Sequence, residues 1–357
     1  MSTTYLYRLP VEQTQWKVDG QTTTQFTWEY EDGSDELLRL YAKGKKQQWD
    51  AAERLDWTLD VDPNNPMGTP DQVVAIYGTP LWNRLDERER ANIRRNLQAH
   101  TLSQFMHGEQ GALMATAKIV QTVPSYEAKF YAATQVMDEA RHVEAYSRLL
   151  HEKVKLAYPI TPSLAKLLEA TLTDRRWDMT YLGMQILIEG LALAAFQRIR
   201  DSSPNALCAA VNAYVMQDEA RHVAFGRLAL REFYPQLTDA ERDEREEFVV
   251  EACYMMRDRV HQREVWENLG LPLAECLEAV EHSDMMKQFR RRLFTRIVPT
   301  VKDIGLWGTR VRKAYEDMGV LEFADVDTAA MLENDSRVAE EFDAKRFVKR
   351  QLGNAGS

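Results

Sequence analysis

Along most of the chain apolar residues recur at helical spacing, and prolines or clustered turn formers interrupt them at intervals. From Asp35, the residues Leu37, Leu38, Leu40, Tyr41 and Trp49 are spaced as one helix running to Trp57. The Asp-Pro-Asn-Asn-Pro run at 62–66 closes it, because consecutive turn formers do not continue a helix. A long helical pattern then covers Asp86 to Val123 and stops at Pro124. Ser125 has the chemistry of an N-cap for the next helix, which continues through Lys129 to Leu156 before Pro159 and Pro162 close the hairpin. The second half repeats this plan. One helix covers Asp174 to Arg200, Ser203-Pro204 reads as a cap followed by a first-turn proline, and a helix then runs to Phe233, ended by Pro235. Further helical patterns cover Thr238–Leu269, Asp284–Met318 and Thr328–Leu352. Residues 1–33 are polar, rich in Thr and Gln, and read as an extended arm or short hairpin; no alternating strand pattern of useful length follows residue 34. The pattern predicts an all-α protein with a four-helix core of two hairpins over 86–235. An N-terminal arm and leading helix (1–85) and C-terminal helices packed on the core (236–357) complete a single domain.

The polar residues inside this pattern repeat. Asp138-Glu139-Ala140-Arg141-His142-Val143 recurs as Asp218-Glu219-Ala220-Arg221-His222-Val223, 80 residues later, and the same offset carries Glu109 onto Glu189. Each of these glutamates precedes its Glu-x-x-His by 30 residues. In a helix residues i and i+3 share a face, so Glu139 points with His142 and Glu219 with His222. A glutamate from each of the two other helices then completes a site for two metal ions inside a bundle. A single Glu-x-x-His is commonly a solvated helix face. Glu189 argues otherwise, because Met184 to Phe196 is apolar on nearly all sides and an unpaired buried carboxylate costs several kcal/mol. An arginine could neutralise one such residue; two triads at equal spacing point to metal. Mixed carboxylate and imidazole ligation suits iron or manganese. Asp138 and Asp218, each just before a ligand glutamate, are placed to accept the free ring N–H of the opposite histidine. Arg141 and Arg221 are expected to pair with buried acids, and His100, His107, His151, His261 and His282 share no spacing and read as ordinary.

Composition narrows the functions. A net charge of −10 with no offsetting basic stretch argues against nucleic-acid binding. Cys208, Cys253 and Cys276 are widely spaced with no Cys-x-x-Cys pair, which argues against a disulfide framework or thiolate cluster and suits a reducing cytoplasm. No signal peptide is visible at the N-terminus. The most apolar stretch, Tyr181 to Phe196, is 16 residues long and contains Glu189, too short and too acidic to be expected to span a bilayer.

Over residues 105–232 these motifs resemble the ferritin-like di-iron carboxylate superfamily, and in particular its ribonucleotide-reductase small-subunit-like and bacterial di-iron monooxygenase branches. The run from Leu40-Tyr41-Ala42-Lys43 through Gln48-Trp49-Asp50 to Leu55-Asp56-Trp57 is similar to the leading helix of ferritin-like oxygenases, and more weakly to that of aminoarene N-oxygenases. The resemblance implies a ferritin-like bundle holding two iron ions, with an iron–manganese pair as the variant. Glu109, Glu139 and His142 would hold one ion and Glu189, Glu219 and His222 the other, with some glutamates bridging. It also implies dioxygen activation. Tyr146, four residues after His142, stands where the reductase subunits carry their radical tyrosine. Two departures bear on function. Reductase subunits usually begin the ligand set with Asp, where this chain has Glu109, and the tail from Arg350 has no aromatic residue for radical relay. Aminoarene N-oxygenases carry a further histidine one turn before the second Glu-x-x-His; Val215 stands there, which counts against N-oxygenation of that type.

The expected function is a di-iron oxygenase or oxidase that uses dioxygen to hydroxylate, desaturate or N-oxidise an apolar organic substrate. Small and apolar positions one turn from the ligands, Phe105, Ala112, Leu113, Ala192 and Leu193 among them with Thr116 and Gln185, would leave room for it. The alternatives are a radical-generating reductase-type small subunit and an iron-storage or peroxide-detoxifying protein. The chain has no Gly-x-Gly-x-x-Gly fingerprint and no cysteine cluster, so an external reductase or ferredoxin is expected as electron donor, and a homodimer as the assembly.

Overall fold

Capping chemistry sets where the core helices begin, and proline sets where they stop. The computed structural model describes every residue except 1, 2, 5, 21, 29, 31–33 and 355–357. The arm and the extreme tail therefore lie partly outside the described residues. Within the arm, Thr3–Thr4 pairs antiparallel with Leu9–Pro10, the only strands among the described residues. Buried Leu6 accepts a backbone hydrogen bond from Ala157 at 3.2 Å, and Gln25 donates to Gln121 at 2.8 Å, so the arm is tied to the helices it crosses.

The leading helix is shorter than its periodicity suggests. α1 covers Asp35–Lys46, capped by Ser34, and α2 covers only Ala51–Arg54, capped by Asp50. Gln47, Gln48 and Trp49 break the helix between them, and their side chains turn inward onto the motif residues. After the short α3 (Pro80–Arg84), α4 (Glu87–Thr122) opens on a capping box in which Asp86 and Glu89 satisfy each other's backbone N–H. Its 36 residues would extend about 54 Å at ~1.5 Å per residue. α5 (Tyr126–Arg148) starts at the Ser125 cap and runs into a π-helical segment, Leu149–Val154.

Pro162 does not merely end this hairpin. It is the first residue of α6 (Pro162–Thr173), a helix hidden from the sequence reading between two prolines. The next helix spans Trp177–Ser202: α7 (Trp177–Tyr181), a π-helical segment Leu182–Ile188, and α8 (Glu189–Ser202). It is 26 residues long and apolar enough to cross a bilayer by length and composition, so the short span expected from sequence was no argument against one. Its place in the fold is: 89% of its most apolar window is buried inside the protein. α9 (Ala206–Phe233) is capped by Asn205 rather than Ser203, whose hydroxyl instead donates to the Met67 carbonyl at 2.6 Å.

α4 packs along α5 and α8 along α9, with α5 against α9, giving the four-helix core; α1 lies over α5 and α9. Gly226 lets α9 approach the π segment, since a Cβ there would lie 2.6 Å from Cβ of Gln185. The C-terminal part is more broken than its pattern implied. Gln262, at φ 50°, separates α10 (Asp239–Asp258) from α11 (Arg263–Asn268). An unanticipated α12 (Leu273–His282) follows, and the segment read as one helix from Asp284 is α13 (Asp284–Arg292), α14 (Ile297–Asp303) and α15 (Thr309–Asp317). The final α16 (Thr328–Asn354) lies along α9, anchored by buried Asp335 between Arg200 and Arg296 at 2.9 and 2.7 Å.

Candidate metal centre

The hexapeptide of α5 faces its repeat in α9 across the middle of the bundle. Glu109 from α4 and Glu189 from the start of α8 approach from the sides. All six residues are at most 5% exposed. Their ligand-type atoms fall into two groups, Glu109 with Glu139, His142 and Glu219, and Glu189 with Glu139, Glu219 and His222. In each group the atoms lie within 4.8 Å of one another. Glu139 and Glu219 belong to both, so they are the carboxylates that could bridge two ions, and Glu109 and Glu189 would each serve one.

Distances repeat across the pseudo-two-fold. Nδ1 of His142 lies 3.0 Å from Glu219 Oε1 and 3.3 Å from Glu139 Oε2; Nδ1 of His222 lies 3.0 Å from Glu139 Oε1 and 3.3 Å from Glu219 Oε2. Glu109 Oε2 adds a contact of 3.2 Å to His142 Nδ1. The outer ring nitrogens cross over. Nε2 of His142 is 3.1 Å from Asp218 Oδ2, and Nε2 of His222 is 3.1 Å from Asp138 Oδ2. An aspartate acceptor on Nε2 holds a proton there and turns Nδ1 toward the glutamates, so that Nδ1 is the nitrogen that would give up its proton to a metal ion.

A charged belt surrounds the two aspartates. Arg141 bonds Asp138 and reaches Asp218 at 3.0 Å; Arg221 bonds Asp218 and reaches Asp138 at 3.3 Å. Two residues of the α1–α2 break join it, Gln48 donating to Asp138 at 2.8 Å and Trp49 to Asp218 at 2.7 Å. The sequence reading placed both in the leading helix and missed their contact with the aspartates, because those partners lie 90 and 169 positions away.

The arginines therefore balance the aspartates and leave the four glutamates unbalanced. Oε2 of Glu189 has no hydrogen-bond partner, and Glu139 Oε2 and Glu219 Oε1 also make no hydrogen bond. Burial and then the Glu219 carboxylate push Glu109 well above the ordinary carboxylate range, and the same two causes raise Glu189. Burial would lower His142 and His222, yet the carboxylates around them hold both well above the ordinary imidazole range. Four buried carboxylates in contact, two of them pushed up in this way, are what a pair of divalent cations neutralises, displacing the protons held there. The donor set fits such a pair.

The two halves are not equivalent. Gln135, one turn before Glu139, donates to Glu139 and to Glu189, both at 3.0 Å; its counterpart 80 residues on is Val215. Gln135 was missed because a lone amide in a helix carries no spacing signal. One turn before Glu109 is Phe105, and one turn before Glu189 is Gln185, a buried amide with no hydrogen-bond partner. The cluster thus has an amide-rich side and an aromatic side. On the aromatic side a small cavity of about 30 Å³ touches Glu109, Glu189 and Glu219 and is walled by Ala112 and Ala192. Gln104, Phe105 and Leu191 divide it from a cavity of about 340 Å³.

The other sequence candidates lie elsewhere. Tyr146 is fully buried, its hydroxyl donating to Asn212 at 3.1 Å and its ring stacked on Phe196 at 5.9 Å; burial, then Glu109, raises its pKa well above the usual value. Leu113 and Leu193 line neither cavity, and Thr116 is buried with its hydroxyl unpartnered. His107 bonds the Tyr158 carbonyl at 2.8 Å, away from the cluster.

Residues 30–305 match the family described as P-aminobenzoate N-oxygenase AurF. No curated protein matches the chain. Among solved structures, the R2 subunit of ribonucleotide reductase from Clostridium botulinum superposes with a TM-score of 0.51 at 12% identity, over 88% of this chain and 99% of that one. At that identity the likeness is one of fold. A mutant R2-like ligand-binding oxidase with a Mn/Fe cofactor gives a TM-score of 0.46 at 17% identity, over 79% of this chain and 96% of that one. A protein with aldehyde deformylating oxidase activity from Synechococcus gives 0.44 at 17% identity, over 65% and 100%.

Proposed function

We propose that this chain, which belongs to the P-aminobenzoate N-oxygenase AurF family, is a dioxygen-dependent monooxygenase that oxidises an organic substrate beside a metal pair held by Glu109, Glu139, His142, Glu189, Glu219 and His222. A di-iron oxidase or oxygenase is the general character of the family, and a buried cluster able to bind a metal pair is present in the bundle. The observation that carries the finer reading is the asymmetry of the site. The side of the cluster carrying Phe105 opens on an apolar cavity that touches Glu109 and Glu189.

A bound iron pair would supply the reduction of dioxygen and the oxidising equivalent. The protein's own part is orientation and exclusion. Asp218 and Asp138 hold the imidazoles with Nδ1 inward, Gln135 fixes the Glu139 and Glu189 carboxylates with its two hydrogen bonds, and the arginine belt pairs with both aspartates. Phe105, packed edge-on against Phe196 at 4.6 Å, and Leu191 shield the carboxylates from water on the side where substrate arrives. An aryl or alkyl group entering past them meets Ala112 and Ala192, small enough to leave room for the reacting atom. Electrons come from a separate reductase or ferredoxin, since the three cysteines are buried apart and free.

The family's description names an arylamine nitrogen as target. Val215 in place of a further imidazole keeps the reacting atom open to carbon as well as nitrogen. The test is dioxygen uptake by the reduced, iron-loaded protein with arylamines and with apolar hydrocarbons in parallel. Uptake accelerated by an organic substrate, with an oxygenated product, is the expected result; uptake indifferent to every substrate would overturn the reading.

A further inference from the structure

The larger cavity contains one cation whose charge nothing answers. No Asp or Glu lines the cavity. Arg94, in its wall, is engaged by Asp71 at 2.5 Å and Glu87 at 2.6 Å, and His100 faces Glu264 at 3.5 Å. Arg198 has neither kind of partner. Its guanidinium lies 4.3 Å from the Phe289 ring centroid and donates to the thioether of Met285 at 3.5 Å, and no carboxylate among the described residues is within ion-pairing distance. Burial, and then the neighbouring Arg292, lower its pKa, so the site resists a charge that an incoming anion would satisfy.

Helix geometry relates this cation to the metal cluster. Leu191, Ala195 and Arg198 follow one another at i, i+4 and i+7 on the cavity face of α8. Leu191 also borders the small cavity at the glutamates. From Glu189 to Arg198 the helix rises about 13 Å at ~1.5 Å per residue. A stripe of apolar wall thus joins a lone guanidinium at one end to the candidate metal centre at the other. We infer that the cavity binds an anionic amphiphile, its carboxylate on Arg198 and its apolar body along Ala195, Leu191 and Phe105, so that the end remote from the carboxylate meets the metal centre. This rests on the oxygenase reading for the use of the cavity and adds the polarity of the substrate and the direction in which it lies. A guanidinium recognises a carboxylate by paired charge-assisted hydrogen bonds, which an alcohol of the same length cannot reproduce.

Decanoate and decanol, titrated calorimetrically into the full-length protein loaded with zinc, separate the charge from the chain. Wild type should bind decanoate about tenfold or more tighter than decanol. Arg198→Gln should bring decanoate down to the decanol level and leave decanol unchanged, while Arg198→Lys keeps part of the difference. Ala195→Phe, which narrows the apolar stripe, should weaken both ligands with zinc content unaltered. Equal binding of the two ligands by wild type, absence of decanoate binding, or an Arg198→Gln protein that binds decanoate like wild type would each overturn the inference. The measurement needs no dioxygen. Failure of the oxygenase reading would show separately, as iron-loaded protein that binds decanoate through Arg198 and consumes no dioxygen.

Discussion

Nε2 of His142, on α5, lies 3.1 Å from Oδ2 of Asp218, on α9, and the reciprocal pair, His222 and Asp138, repeats that distance. Each hexapeptide therefore supplies a candidate ligand to one metal position and the aspartate that orients the ligand of the other. The repeat is not two sites side by side. It is one site whose halves complete each other.

From this crossing follows the first prediction. Asp218→Asn, which keeps an acceptor oxygen but loses the charge, should lower metal affinity by about 10- to 100-fold, the usual effect of altering the partner of a ligand histidine. Arg221 and Arg141 would also lose a buried counter-charge, at a cost to folding of about 3–5 kcal/mol. Asp138→Asn should act in the same direction and to a similar extent, because Asp138 holds the matching contacts to His222, to both arginines and to Gln48. Competition with a metallochromic chelator measures the first effect and thermal unfolding of the metal-free protein the second. Unchanged affinity in both variants would remove the orienting role.

Metal content discriminates the six candidate ligands from the remaining histidines. Reconstitution with ferrous iron should approach two equivalents per chain. Glu189→Ala and His222→Ala should each lose at least one, since each belongs to one of the two ligand groups. His107→Ala should retain both, since that ring bonds only the Tyr158 carbonyl. Equal loss at His107 would sink the assignment.

How much of this was legible in the sequence differs by kind of interaction. The helix hairpins and the two triads were readable because the 80-residue repeat and the i, i+3 spacing are local properties of a helix. Ser125 and Asp86 also act as caps where local chemistry places them. What failed was continuity. The pattern from Asp35 to Trp57 is interrupted because Gln47, Gln48 and Trp49 leave the helix for tertiary partners, and periodicity is blind to a partner far along the chain. α6 was hidden because Pro162, read as a stop, occupies a first-turn position where proline starts a helix equally well. The inequivalence of the two halves lay in plain residues, Gln135 against Val215 and Phe105 against Gln185, yet only the packing shows that it divides an amide side from a cavity side.

Proton release should accompany metal binding, and the affinity should depend on pH in a fixed direction. Burial and the Glu219 carboxylate raise Glu109 and Glu189, so both hold protons at a pH where ordinary carboxylates are ionised. A metal ion requires the ionised form. Lowering the pH from about 8 to about 6 should therefore weaken the apparent affinity, because protons compete with the metal for these carboxylates and for the His142 and His222 rings, which are also raised. Calorimetry in buffers of different ionisation enthalpy gives the affinity and the number of protons released. A release that stays at zero across this range would show that the glutamates are already ionised in the metal-free protein.

The last prediction concerns the cavity beside Glu109 and Glu189. Ala192 is half-buried and borders the small cavity with Glu109, Glu189 and Glu219, while Ala112 is only 2% exposed and packed on its other sides. A phenyl group at 192 would fill the cavity proposed for substrate, whereas at 112 it overpacks the core, at about 1–3 kcal/mol. Ala192→Phe should then keep two equivalents of iron and a near wild-type melting temperature while losing at least about tenfold in substrate-dependent turnover, a barrier of roughly 1.4 kcal/mol or more. Ala112→Phe should lose turnover and stability together. Iron analysis, thermal unfolding and product formation on the same preparations separate the two cases. If Ala192→Phe turned substrate over unimpaired, the route past Phe105 and Leu191 would not be the path to the metal centre. Uptake of hundreds of iron ions per assembly, with no substrate-dependent dioxygen consumption in any variant, would instead mark the protein as an iron store.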